Sequence, residues 1–224
     1  MYWFLILAVM LASFIVQRVL SSRFEKYSGE PSPHGLTGAD VARLMLQQNG
    51  ITDVQVQSVA GRLTDHYNPQ TKTVNLSDDV FGSASIAAVA VAAHETGHAL
   101  QHRDAYAPLV LRSAAVPTVN IGSHLSWPLV IAGLIFSWQP LVTAGIALFA
   151  LVVLFALITL PVEFNASSRA LATLEGQGYL DAEEMTGARK VLNAAAMTYV
   201  ASALSAILQL VRLIAISGNG RRRR

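Results

Sequence analysis

The chain has 224 residues and no cysteine, which excludes disulfides and Cys-based zinc sites and leaves His and carboxylate as the strong metal ligands. It is 53% hydrophobic and only 13% charged, about half the charged share of a soluble domain, so an ordinary soluble globule is excluded as well. The net charge is +2, and part of the positive charge sits in the run Arg221–Arg224; no basic patch interleaved with aromatics points to nucleic acid.

Met1 to Val16 is apolar apart from Ser13, and Arg18, Arg23 and Lys26 follow. A secretory signal would carry its positive charge ahead of the apolar core. The reversed polarity predicts an uncleaved anchor over residues 1–20, with its N-terminus outside and its C-terminal end in the cytoplasm. Ser28–Gly38 is rich in Gly, Pro and Ser and reads as a linker. Thr37 with Asp40 forms an N-cap signature for a short amphipathic helix over Ala39–Gln48, ended by Asn49-Gly50. Val54–Gln57 and Lys72–Leu76 alternate apolar and polar residues, predicting two strands separated by the turn signal Asn68-Pro69. An exposed edge at Thr73, Val74, Asn75 and Leu76 could hold an extended peptide by main-chain hydrogen bonds. The plainer alternative is a hairpin that only packs on the next helix.

After the apolar run Ala84–Ala93 comes His94-Glu95-Thr96-Gly97-His98, an H-E-x-x-H motif. On a helix its two imidazoles project from one face, about 6 Å apart along the axis, as two ligands of one tetrahedral Zn²⁺ require. Glu95 then stands beside the metal, where a carboxylate can take a proton from the attacking water. The alternative, a buried helix that carries these residues by chance, would leave a glutamate unpaired among alanines and valines, which is costly.

Leu109–Trp138 is apolar but interrupted by Pro117, Asn120, His124 and Pro128, and Leu141–Leu160 is a cleaner span ending at Pro161. The short connection between them predicts a transmembrane hairpin over residues 109–160 with a bent first helix. Its tip has no Lys or Arg, whereas Arg103, Arg112 and Arg169 flank its base, which puts the base and the motif helix in the cytoplasm. Residues 161–193 are expected to carry the third metal ligand. His102 lies too far along a continuous helix to share a metal with His94, and fits a supporting or membrane-interface position better. Glu163, just past the span in Pro161-Val162-Glu163-Phe164-Asn165, is the better candidate, although a boundary acid can also be merely solvated. Asp181 with Glu184 predicts the start of a last long helix. Its segment 194–216 is apolar enough to span but contains Gln209 and Arg212. A span would put the basic tail outside, against the positive-inside rule, so a full span and a re-entrant or surface-lying placement both stay open.

These residues resemble the small bacterial membrane zinc metallopeptidases of the YugP type, relatives of HtpX-type membrane proteases and the CAAX-prenyl proteases. The resemblance covers most of the chain. It rests on Leu63–Pro69, Leu76-Ser77, His94–His102, Asn120–Ser123 with Leu125–Pro128, and Leu160–Ser167. It implies a mainly α integral membrane protein with about four transmembrane helices and a zincin-like core with a small β-sheet in residues 21–108. It also implies one Zn²⁺ per chain on His94, His98 and Glu163, with Glu95 as the general base, in the gluzincin manner. HtpX-type relatives have an Asp where this chain has Ser167, so Ser167, Asn165 or Asp65 would have to orient the histidines. The expected activity is a membrane-embedded endopeptidase of the bacterial inner membrane, multi-pass, with its site facing the cytoplasm. His66, Tyr67, Asn165 and Arg169 are the candidates for stabilising the oxyanion. Expected partners are a peptide or membrane-protein substrate and the lipid bilayer, with room for a regulatory membrane protein or a second copy of the chain. Two rival readings stand beside this one: a membrane scaffold with a structural zinc site, and a zinc hydrolase of a lipid or small amide.

Overall fold

A computed structural model of the protein describes residues 2–32 and 34–221. The chain begins with α1 (Tyr2–Ser28), continues through α2 (Gly38–Gln48) and three short strands, β1 (Gln55–Val59), β2 (His66–Asn68) and β3 (Thr73–Ser77), and reaches α3 (Asp78–Phe81) and α4 (Ile86–Arg103). Three long helices close it: α5 (Ala107–Ile135), α6 (Gln139–Gly176) and α7 (Ala182–Arg221). Four segments, Leu7–Ser28, Ala107–Ile135, Gln139–Gly176 and Ala182–Ser217, are long and apolar enough to cross a membrane. Large apolar side chains such as Phe14, Ile121, Ile135 and Val211 are exposed on them, as a lipid-facing surface requires. The fold is that of a mainly α membrane protein.

Local signals set the helix starts. Thr37 Oγ1 accepts from the Asp40 amide at 3.2 Å and Asp40 Oδ2 accepts from the Thr37 amide at 3.0 Å, so both orphan donors at the start of α2 are satisfied. Asp181 caps α7 the same way: its side chain accepts from the amides of Glu183 and Glu184, and Glu184 returns a bond to the Asp181 amide. The sequence places a helix boundary at Pro161. Instead α6 continues through it: proline costs one intrahelical bond, and the apolar and small residues on either side hold the helix together.

The hairpin of α5 and α6 packs closely. A Cβ on Gly145 would stand 2.7 Å from the Ser126 carbonyl oxygen, so only glycine permits this approach. α7 runs back along the hairpin, and its Leu213 joins Val130, Val142, Phe149 and Val153 in a second, smaller core. Near its end Ser217 Oγ accepts a hydrogen bond from Gln139 Nε2 at 2.7 Å. The end of α7 therefore reaches the hairpin tip. Arg222–Arg224 of the basic tail lie outside the described residues.

The sheet differs from the expected hairpin. Its strand order is β1-β3-β2, with β1 parallel to β3 and β2 antiparallel to it. The extra strand, β2, forms because Asn68 Oδ1 accepts from the amides of Gln70 and Thr71 and so folds a tight turn into β3. Thr73, Val74, Asn75 and Leu76 are thus not an edge. They are buried in the central strand: all four pair with β1, and Thr73, Val74 and Asn75 pair with β2 as well, so the main chain of those three is not free to pair with a peptide. The terminal strand on the motif side is β2.

α4 runs through the main core. Every residue from Ile86 to Gln101 except Val91 is buried, against α2, α6 and α7. Its alanines and glycine keep it thin enough to be surrounded, and the polar motif residues sit at its C-terminal half.

Candidate metal centre

α4 projects His94 and His98 toward α6, and α6 projects Glu163 back. The two helices can approach because position 97 is glycine: a Cβ there would meet the Ala166 carbonyl oxygen at 2.7 Å. Glu163 Oε2 lies 3.3 Å from His94 Nε2 and 3.5 Å from His98 Nε2. The rings meet edge to face, with centroids 4.9 Å apart. All three residues offer ligand atoms within 4.8 Å of one another.

Does this donor set fit a metal? Glu163 is 2% exposed, yet Oε2 has no hydrogen-bond partner. Both imidazole nitrogens are within ion-pair reach of it, and neither is a hydrogen-bond partner to it. A buried carboxylate oxygen without a donor is costly. Ligand atoms about 2.0–2.1 Å from a tetrahedral zinc stand about 3.3 Å apart, which matches the two measured separations. Two nitrogens and one oxygen, with no thiolate, fit a zinc site that keeps a position open for water or substrate.

The far sides of the rings are held by other residues. His98 Nδ1 lies 2.9 Å from Gln101 Oε1, while Gln101 Nε2 donates to the Val162 carbonyl at 2.8 Å and to Asn165 Oδ1 at 3.0 Å. A carbonyl can only accept, so the Gln101 amide nitrogen must face Val162 and its oxygen must face His98. His98 then carries its proton on Nδ1 and its lone pair on Nε2, toward Glu163. His94 Nδ1 is 3.1 Å from Ser167 Oγ. Behind Gln101 the network continues outward: Arg169 Nε donates to Asn165 Oδ1 at 2.8 Å and Arg169 Nη1 to Asp104 Oδ2 at 2.5 Å.

Two cavities open onto the centre. One, of about 230 Å³, is lined by His66, Glu95, His98, Arg112 and Glu163, among others. The other, of about 140 Å³, is lined by His94, Glu95 and apolar residues of α1, α4 and α7. Asp65, Glu95 and Tyr199 line both. Arg112 Nη1 lies 3.6 Å from Glu163 Oε1. Burial pushes the Asp65 carboxyl above its ordinary range and the Glu95 charge adds to the rise, against two hydrogen bonds from Ser77 that pull it down. Burial likewise pushes the Tyr67 phenol up to about 12, so its hydroxyl keeps its proton; it lies 2.7 Å from His102 Nδ1.

The sequence-derived candidates therefore separate. His94, His98 and Glu163 converge, and Glu95 faces the cleft beside them. His66 and Tyr67 line the cleft. Asn165 and Arg169 do not: they stand behind His98, tied to Gln101 and Asp104. Asp65 bonds Ser77 rather than a histidine. His102 turns to Tyr67, away from the centre. Three residues escaped the sequence reading. Gln101 had a signal, since it follows His98 by three positions and so shares its helix face. Arg112 and Tyr199 had none, because only tertiary packing brings α5 and α7 over α4.

The chain is similar to known proteins over almost its whole length. The profile of a family described as "Putative neutral zinc metallopeptidase" matches residues 2–218. "Putative membrane protease YugP" of Bacillus subtilis (strain 168) is 46% identical over 221 residues, covering 99% of this chain and 98% of that protein. No solved structure matches the chain.

Proposed function

The chain belongs to this family of neutral zinc metallopeptidases, and from that premise we propose that it is a membrane endopeptidase in which His94, His98 and Glu163 hold one zinc ion and Glu95 is the general base. The observation that carries the reading is Glu163 Oε2, buried and without a donor, at tetrahedral-edge distance from two imidazole nitrogens. Bound there, zinc supplies Lewis acidity that polarises the scissile carbonyl and acidifies the attacking water. Glu95, open to both cavities, takes the water's proton and returns it to the leaving amine. Gln101 and Ser167 hold the rings. Arg112 and Tyr199, which reach over the cleft from α5 and α7, are the groups that offer a charge and a hydroxyl to the developing oxyanion.

An extended substrate would add to the outer edge of β2, at His66–Asn68, which takes the role expected of Thr73–Leu76. The Arg-flanked base and the Lys- and Arg-free tip of the hairpin support a site at the cytoplasmic surface of the bacterial inner membrane. Loops and tails of membrane proteins are then the substrates within reach. A closed structural zinc site needs a fourth ligand. Among the described residues no fourth His or carboxylate joins the cluster, which favours the hydrolase.

The test is purified full-length protein against Glu95→Gln, with metal content and cleavage of casein measured on the same samples. The variant should keep one zinc per chain and lose hydrolysis. Equal cleavage by the two proteins would overturn the assignment.

A further inference from the structure

The two cavities that meet at Glu95 differ in chemistry. On the His94 side, α1, α4 and α7 wall off about 140 Å³ with Leu20, Phe24, Val91, Val191, Leu192 and Ala195. On the His98 side, the cleft carries Arg112 and His66. We propose that the His94-side cavity is a specificity subsite that receives an aliphatic side chain next to the cleaved bond. The proposal rests on the peptidase reading above.

The argument is one of continuity and solvation. Because Asp65, Glu95 and Tyr199 line both cavities, a chain laid across the centre passes the Glu95 carboxylate and offers one flanking side chain to each side. Apolar cavities of about 150 Å³ accept a guest the size of benzene, so the His94 side has room for one leucine-sized group. Filling it removes apolar surface from water on both partners. An aspartate or glutamate there would lose its hydration and meet a mostly apolar wall with the carboxylates of Asp65 and Glu95 in it, while the other polar groups in the lining, the Thr198 and Tyr199 hydroxyls and His94, carry no fixed positive charge to offset the loss. The Arg112 side has the opposite preference and tolerates polar or acidic residues. α1 is then more than an anchor, since its Leu20 and Phe24 form part of the substrate wall.

Peptides of one sequence, varied among Leu, Ala, Gly and Asp at each position flanking the bond, test this with the full chain in detergent micelles. Cleavage sites are read by mass spectrometry, and binding is read separately by fluorescence anisotropy on Glu95→Gln. Leu over Gly at one flank should gain about 10–100-fold in kcat/KM, with a matching gain in binding. Ala195→Phe should fill the cavity and cut that Leu/Gly ratio by about tenfold, and Val91→Ala should widen it and move the preference from Leu toward Phe. Ratios within one variant are immune to a general loss of activity, and zinc content checks that each variant folds. Hydrolysis with no Leu preference, or a ratio unmoved by both substitutions, overturns the subsite and leaves the peptidase standing. Leu-selective binding to a protein whose wild type cuts nothing keeps the subsite and overturns the peptidase.

Discussion

Gln101 faces His98 from one turn further along α4, with its amide oxygen 2.9 Å from the ring Nδ1. Its amide nitrogen is fixed by Val162 and Asn165 on α6, so one side chain sets a tautomer and ties the motif helix to the helix that bears Glu163. Gln101 is fully buried, and replacing it leaves groups without partners. Gln101→Leu should therefore weaken zinc binding by about 10–100-fold, measured by competition with a chromophoric chelator. Gln101→Glu keeps an acceptor for His98 and should lose less. If Gln101→Leu bound zinc as tightly as wild type, the orienting role would be wrong.

The glycine inside the motif has a packing role of its own. With a Cβ at position 97 only 2.7 Å from the Ala166 carbonyl oxygen, Gly97→Ala must push α6 away from α4. That oxygen is backbone, so no rotamer change relieves the clash. We expect a loss of about 1–3 kcal/mol in stability, together with reduced zinc content, because Glu163 lies on the displaced stretch of α6. Thermal unfolding and metal analysis of the purified variant would check this; an unchanged zinc content would show that the approach at Gly97 does not position Glu163.

Much of this site was legible in the chain because its information is local. His94, Glu95 and His98 follow one helical period, and Glu163 follows a long span that turns polar beyond Pro161. The capping pairs Thr37–Asp40 and Asp181–Glu184 are local as well, and both form. What failed was long-range. Periodicity marks β1 and β3 as strands, but it cannot say that β1 pairs parallel to β3 or that the Asn68 turn inserts β2 on the other side, which makes β2 and not β3 the edge. Asn165 and Arg169 are near Glu163 in sequence, yet the helical phase of α6 carries them behind His98. Arg112 and Tyr199 come from helices whose relation to α4 is set by packing alone.

The outer end of the network sets a dependence on pH. Hydrogen bonds from Arg103 and then from Arg169 hold the Asp104 carboxyl below its ordinary range. A carboxylate with a depressed folded-state pKa contributes stability above its unfolded value of about 3.9, and loses it as pH falls through the lower folded value. Asp104 is solvent-accessible, so the effect is small and screened by salt. Unfolding temperatures of wild type and Asp104→Asn should differ near neutral pH and converge in acid. A gap that stays constant down to acid pH would rule out Asp104 as its source.

Arg112 is the cation nearest the proposed ligand set. Its Nη1 lies 3.6 Å from Glu163 Oε1, and it lines the cleft beside Glu95 and His98. Two roles are separable. If Arg112 only steadies Glu163, Arg112→Gln should lose zinc and activity together, and excess zinc should restore turnover. If it also faces the developing oxyanion, the variant should retain zinc and lose about 10²–10³ in kcat, with little change in KM. We expect the second pattern, because the guanidinium borders open cleft on the side where substrate must lie and its contact with Glu163 leaves other N–H groups free to donate. Arg112→Lys keeps the charge without the planar fork and should recover part of the rate. Full zinc occupancy with wild-type kcat in Arg112→Gln would remove Arg112 from the reaction and turn the search for the donor to Tyr199, His66, Tyr67 and Ser113, which line the same cleft.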